Sequence, residues 1–300
     1  MQKYFKKGWG DRSDGWKLRG IDPISMLGPF IMRTRLDSQV MYQFDLPLDN
    51  LEEFIRQHKE EIPGLSLMHV IMAAMVRVIS QRPYVNRFIV WNKMYARNNI
   101  SISLAVKREI TDKGEETIIK PEFEPTDTLA DIVEKVKKEY DASIGEANGV
   151  DDAAKILCYI PSFLLRGAVK LLFGLDKLGI LPKFLVKVSP WHSSLFITNV
   201  GSVGIDSVFH HLYEFGTNSQ FIALGQKKRR EITDENGQKK TEKYTTLRFN
   251  NDERICDGHY YAASMRMFRK LLLNPEQLLE PPKQVIVDDC VGKKRIDIKQ

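Results

Sequence analysis

A helix that is apolar or small on nearly every side must be covered on most of its surface, and Leu67–Gln81 reads as such a helix. Val70, Ala73, Ala74 and Val76 spread around its circumference, Ser66 stands at its start and Pro83 ends it. A layer of sheet with further helices beside it meets that demand. Strand-like segments surround it. Gln39–Leu46 leads into a helix expected from about 50 to 61, where Asn50 and Glu53 have capping-box spacing. Phe88–Val90 and Tyr95–Arg97 flank a short turn at Asn92-Lys93. Ile100–Val106 alternates as a strand and Thr117–Phe123 follows. Thr128–Ser143 carries Leu129, Ile132, Val133 and Val136 on one helical face. Leu195–Asn199 and Gln220–Gly225 read as strands, and a hairpin turns at Asn236-Gly237 with Tyr244–Phe249 as its return. A last helix, Tyr260–Leu273, stops at Asn274-Pro275. The expected fold is α/β, one domain round a largely mixed sheet with flanking helices. Residues 1–37 read as an N-terminal arm, 38–282 as the body, and 283–300 as a basic tail.

Of the 300 residues, 43% are hydrophobic and 28% charged, which suits a globular chain. The net charge of +6 is modest, and runs such as Lys227-Lys228-Arg229-Arg230 are common on exposed hairpins, so no nucleic-acid role is expected. Cys158, Cys256 and Cys290 are odd in number and far apart, which argues against disulfides and metal sites and for a reducing cytoplasm. No signal peptide is visible at the start.

Ile156–Val188, within an insertion expected over about 145–190, is strongly apolar. Arg166, Lys170, Asp176, Lys177, Lys183 and Lys187 interrupt it too often for a membrane span. Pro161, Gly174, Gly179 and Pro182 should divide it into short helices. Two readings stand: packing against the domain or a neighbouring subunit, or a basic amphipathic element lying on a membrane surface or docking a hydrophobic partner.

The most specific run is Asp252-Glu253-Arg254-Ile255-Cys256-Asp257-Gly258, followed by His259. It resembles the His-x-x-x-Asp-Gly segment of the acyltransferase catalytic domain of 2-oxo acid dehydrogenase complexes and of chloramphenicol acetyltransferase, with Glu253 at the histidine position. Other pieces resemble the same family in the same order. They are Arg82-Pro83-Tyr84-Val85-Asn86, the strand Asn99–Val106, Phe196–Ile205 with Thr198-Asn199-Val200-Gly201, and Asn274-Pro275-Glu276-Gln277-Leu278. The resemblance covers about 38–280 and includes no lipoyl-domain counterpart, so a stand-alone form without covalent lipoyl is expected.

The resemblance implies a chloramphenicol acetyltransferase-like two-layer fold, a homotrimer, and acyl transfer between coenzyme A and a thiol, hydroxyl or amine acceptor. It implies Glu253 as base, Thr198 as donor to the oxyanion, Asp257 as organiser of the loop through an arginine, and Gly258 as the residue that permits a turn. Arg19, Arg33 and Arg35 are the candidate arginines. Asn199 and Gly201 fall in the coenzyme-binding segment. His210, His211 and His259 are candidate auxiliary bases, and no metal is expected. Against a thiol near pKa ~8.5, a carboxylate at ~4.3 is a weaker base than an imidazole at ~6.5. The gap of about 2 units corresponds to ~3 kcal/mol, which burial in an apolar channel would close. The alternative is a catalytically silent trimeric scaffold that keeps the fold, and perhaps the coenzyme pocket, without the chemistry.

Overall fold

The computed structural model describes residues 4–107, 116–145, 159–233 and 237–293. The chain starts with β1 (Gly15–Lys17), α1 (Pro23–Ile31), β2 (Gln39–Pro47), α2 (Asp49–His58) and α3 (Leu67–Gln81). Next come β3 (Arg87–Val90), β4 (Lys93–Arg97), β5 (Ile100–Lys107), β6 (Glu116–Ile119), β7 (Glu122–Phe123) and α4 (Leu129–Gly145). Two helices follow, α5 (Ser162–Leu178) and α6 (Lys183–Val188). The last part is β8 (Leu195–Asn199), β9 (Gln220–Leu224), β10 (Lys228–Thr233), β11 (Lys239–Asp252) and α7 (Gly258–Leu273).

Eight strands form one mixed sheet in the order β10-β11-β9-β8-β5-β6, with β2 added to β11 and β7 to β5. Only β5, β8 and β9 run parallel to one another. Val70 to Ser80 of α3 are all buried, as its apolar circumference requires. They pack with α2, α4 and α7 on the face of the sheet carrying Phe44, Leu46, Ile102, Ile197, Ile222 and Phe249. Strand alternation sends Phe196, Phe221 and Ala223 to the other face, where Leu212 and Tyr213 cover them.

Several local expectations give way. The arm is part of the body: β1 pairs β4, which pairs β3, in a second three-stranded sheet. The tail is packed as far as it is described. Val291 is buried with Phe5, Trp16 and Leu18, and Asp288 holds the Arg87 guanidinium at 2.6 and 2.9 Å. The β3–β4 turn falls on Trp91-Asn92, with Trp91 at φ 57°. At α2 no capping box forms, because the helix begins at Asp49 and Glu53 bonds Arg56 and Gln57 instead. Asn236 of the second hairpin lies outside the described residues.

Gly174 does not divide the apolar segment, and α5 continues through it to Gly179, whose left-handed φ of 74° caps the helix. A buried polar cluster anchors the end of α5. Arg12 donates to Asp14 Oδ1 at 2.8 Å and to Asp176 Oδ1 at 2.6 Å, and His192 Nε2 lies 3.2 Å from the same Asp176 oxygen. Burial would raise the Asp176 carboxyl, but the His192 hydrogen bond and the Arg12 charge outweigh it and bring it down to about 2. A carboxyl lowered in the folded state contributes stability that is fully present above its unfolded value and is lost as pH falls through the folded one. Between pH ~4 and ~2 the protein should therefore lose roughly 2 kcal/mol of stability through this group. Urea midpoints measured across that range for wild type and Asp176→Asn check this, and parallel curves would disprove it.

Candidate active site

The segment after β8 is built on close backbone approach. A Cβ on Gly201 would stand 2.3 Å from the carbonyl oxygen of Gly225, and one on Gly225 would stand 2.5 Å from the amide nitrogen of Ser207. Only glycine fits either place. Asn199 caps the short turn Val200–Val203 that holds Gly201, its Oδ1 accepting from the Ser202 amide at 3.2 Å. Thr198 is half-buried. It shares a sheet face with Phe196, two residues away.

At the far end of β11 a different pair holds the loop. Asp252 is fully buried and accepts from the Ser38 hydroxyl at 3.0 Å, the Arg254 amide at 3.1 Å, and Arg254 Nε and Nη2 at 2.8 and 2.7 Å. Arg254 also donates to the Met32 carbonyl at 3.0 Å. This pair organises the loop, the role expected of Asp257. None of the three candidate arginines reaches Asp257. Arg19 pairs with Asp11, the Arg33 amide donates to Asp37, and buried Arg35 donates to backbone carbonyls including those of Ile89 and Gly216. Asp257 is exposed and caps α7, accepting from the Tyr260 amide at 2.8 Å. Gly258 has open space where a side chain would go and an ordinary φ, so no turn there demands glycine. Glu253 and His259 are exposed, and the Glu253 amide donates to the Ser38 carbonyl at 2.8 Å. Cys256 lies between them, its thiol pushed up to about 12 by burial, which makes it a poor nucleophile near neutrality.

Sheet register decides which of these residues can meet. Thr198 pairs with Ala223, and Ala223 with Arg248. Asp252 lies four residues beyond Arg248, about 13 Å along the strand and about 10 Å across two strand spacings from Thr198. Glu253 and Thr198 therefore sit at opposite ends of the sheet, and one protomer does not bring them together. His210, in contrast, lies on Thr198's face, its ring stacked on Phe221 at 4.1 Å and on His211 at 4.7 Å. Burial lowers the His210 pKa below the ordinary imidazole value, which favours the neutral ring. His211 is exposed.

None of the described cavities is lined by Thr198, Glu253 or Asp257. The largest, of about 630 Å³, lies at the opposite end of β5 and β8, between the N-terminal segment and α6. Lys6, Lys7, Lys120, Lys183 and Lys187 line it, a donor set suited to an anionic group. Lys120 is lowered to about 8 by burial, helped by the Arg97 charge, and its ammonium donates to the carbonyls of Val186 and Ser189 at 2.8 Å each. The resemblance did not point to this cleft. Its lysines come from three separate stretches, and no motif joins them. Asp252 could have been read from the sequence: an acid and an arginine flank the candidate base.

Residues 191–280 match the family described as 2-oxoacid dehydrogenases acyltransferase (catalytic domain). The match contains both the Thr198–Gly201 and the Glu253–Gly258 segments, so the resemblance read from the sequence is matched over this part of the chain. The fold is that of the chloramphenicol acetyltransferase-like acyltransferases. A probable dihydrolipoamide acetyltransferase from Listeria monocytogenes 4b F2365 superposes with a TM-score of 0.53 at 11% identity, over 85% of this chain and 93% of that one. A dihydrolipoamide acetyltransferase of Azotobacter vinelandii gives 0.51 at 13% identity, over 80% and 84%. A chloramphenicol acetyltransferase gives 0.50 at 12% identity, over 88% and 100%. No curated protein matches the chain. Among the described residues no helix is long and apolar enough to cross a membrane.

Proposed function

We propose that the protein transfers an acyl group between a coenzyme A thioester and a thiol, hydroxyl or amine acceptor, at a site closed by two copies of the chain. The single observation carrying this reading is that the family match spans both catalytic segments. Glu253 of one copy takes the acceptor's proton as the acceptor attacks the thioester carbonyl. Thr198 of the other copy donates to the oxygen that becomes negative. Glu253 then returns the proton to the departing coenzyme A sulfur as the carbon–sulfur bond breaks.

Two exposed apolar patches support assembly. Ile24, Phe30 and Ile31, at 83%, 55% and 74% exposure, lie on α1, whose Gly28 approaches Arg254 beside Glu253. Val203, Ile205 and Phe209 lie on the segment after Thr198. Unlike patches at the two ends of one sheet suit a head-to-tail contact, which closes into a ring such as a trimer. The cytoplasm is the proposed setting.

A second reading, a silent scaffold or coenzyme-binding relative, is favoured by the exposure of Glu253 within one protomer. Thioester cleavage by the assembled protein, measured with a panel of acyl-coenzyme A compounds, separates the two. Glu253→Ala should lower turnover by about 10²–10⁴-fold, the range for removal of a general base. Activity that survives in Glu253→Ala but disappears in His210→Ala would move the base to His210. Background rates in wild type throughout would favour the scaffold.

A further inference from the structure

The first ten residues of α5 carry Phe163, Leu164, Leu165, Ala168 and Val169, yet none of Ser162–Leu171 is buried. Leu164, Leu171 and Leu178 recur every seven residues along the helix and are 53%, 62% and 64% exposed. Arg166, Lys170 and Lys177 form a parallel stripe about 120° round the helix. Phe184 and Val188 of α6 continue the apolar surface at 67% and 50% exposure. Between 159 and 188 the sequence has five cations and one acid, and that acid is the buried Asp176 held by Arg12 and His192.

These helices are firmly held. Phe173 packs on Phe215 with ring centres 4.9 Å apart, Asp176 ties the end of α5, and Lys120 fastens α6 through the Val186 carbonyl. The same α6 lends Lys183 and Lys187 to the wall of the basic cleft, so the cationic cavity and the apolar stripe adjoin. A second copy of this chain packed face to face here would bring like charges together. An acidic soluble partner would answer the lysines but leave the leucines uncovered unless it too were apolar. A bilayer with anionic headgroups offers negative charge at the level of the cations and hydrocarbon just beneath it.

We propose that α5 and α6, with the lysine-lined cleft beside them, dock the protein on an anionic phospholipid surface. The helices lie in the plane of the interface. Leu164, Leu171, Leu178 and Phe184 enter the headgroup boundary, while the cations meet lipid phosphates. This docking does not depend on the acyl-transfer reading and is measured without turnover.

Flotation of the full-length protein with phosphatidylcholine vesicles, with and without about one third phosphatidylglycerol, tests it. Binding should require the anionic lipid and weaken with added salt. Lys183→Gln with Lys187→Gln should reduce partitioning about 25-fold, at about fivefold per cation. Leu171→Glu with Leu178→Glu, at exposed positions that leave the core intact, should abolish it. The proposal is overturned if wild type fails to float with anionic vesicles at low salt, or if both variants bind as wild type does. It is also overturned if the leucine variant changes the protein's sedimenting mass while vesicle binding stays the same, because the face would then be a contact between copies.

Discussion

Asp252→Ala is expected to cost about 3–5 kcal/mol of stability, the usual result of stripping one partner from a buried ion pair. Asp252 is completely buried and Arg254 only 6% exposed, so the guanidinium left behind would be held by one carbonyl, that of Met32. The Ser38 hydroxyl would lose its acceptor as well. Glu253 stands between the two in sequence, but its side chain is exposed, and Glu253→Ala should stay within ~0.5 kcal/mol of wild type. Neighbouring residues thus have opposite expected outcomes. Urea unfolding with an unchanged slope measures both, and a drop in melting temperature of about 10 °C should accompany the Asp252 variant. Replacing the pair together, Asp252→Asn with Arg254→Met, should recover part of the loss, since no charge is then left buried alone. An Asp252→Ala protein as stable as Glu253→Ala would mean that the ion pair does not hold the loop.

This contrast also marks what the sequence made legible. Regular elements were readable where periodicity was strong. The buried α3, the alternation of β5, the apolar face of α4 and the strands β8 and β9 follow from side chains spaced for one kind of cover. Elements whose partners are distant in the chain were not readable. β1 pairs with β4 some eighty residues on, and Val291 closes a small core begun by Phe5. Nothing local in either segment announces that contact. Fine local signals also misled, because tertiary packing outcompeted them: Glu53 spends its carboxylate on Arg56 and Gln57, and α5 tolerates Gly174 without a break. At the site, the resemblance left three arginines open as partners for Asp257, none of which reaches it, and implied a steric need at Gly258 where the space is open. How far apart Thr198 and Glu253 lie within one protomer could not be read from the sequence for a physical reason. It depends on the β8–β9–β11 register, which no single segment encodes.

That register leads to the second large effect. If Glu253 and Thr198 act together only across a contact between copies, Thr198→Ala and Glu253→Ala should each be nearly inactive alone, and mixing them should restore turnover. Denatured together in equal amounts and reassembled, the two variants would place an intact Thr198 beside an intact Glu253 at about a quarter of head-to-tail contacts. Turnover should recover to about a quarter of wild type, where either variant alone retains about 1% or less. The restored fraction should rise and fall with the product of the two variants' proportions, a dependence that a site complete within one chain cannot produce. In that case the mixture would show only the sum of two crippled enzymes. Recovery also needs the apolar patches at the two ends of the sheet, so Ile31→Glu on α1 should prevent it by blocking ring closure while each protomer remains folded. Mixed assemblies that form, as judged by sedimentation, but stay at the background of the single variants would rule out the shared site, since the partners would be in contact without reconstituting any chemistry.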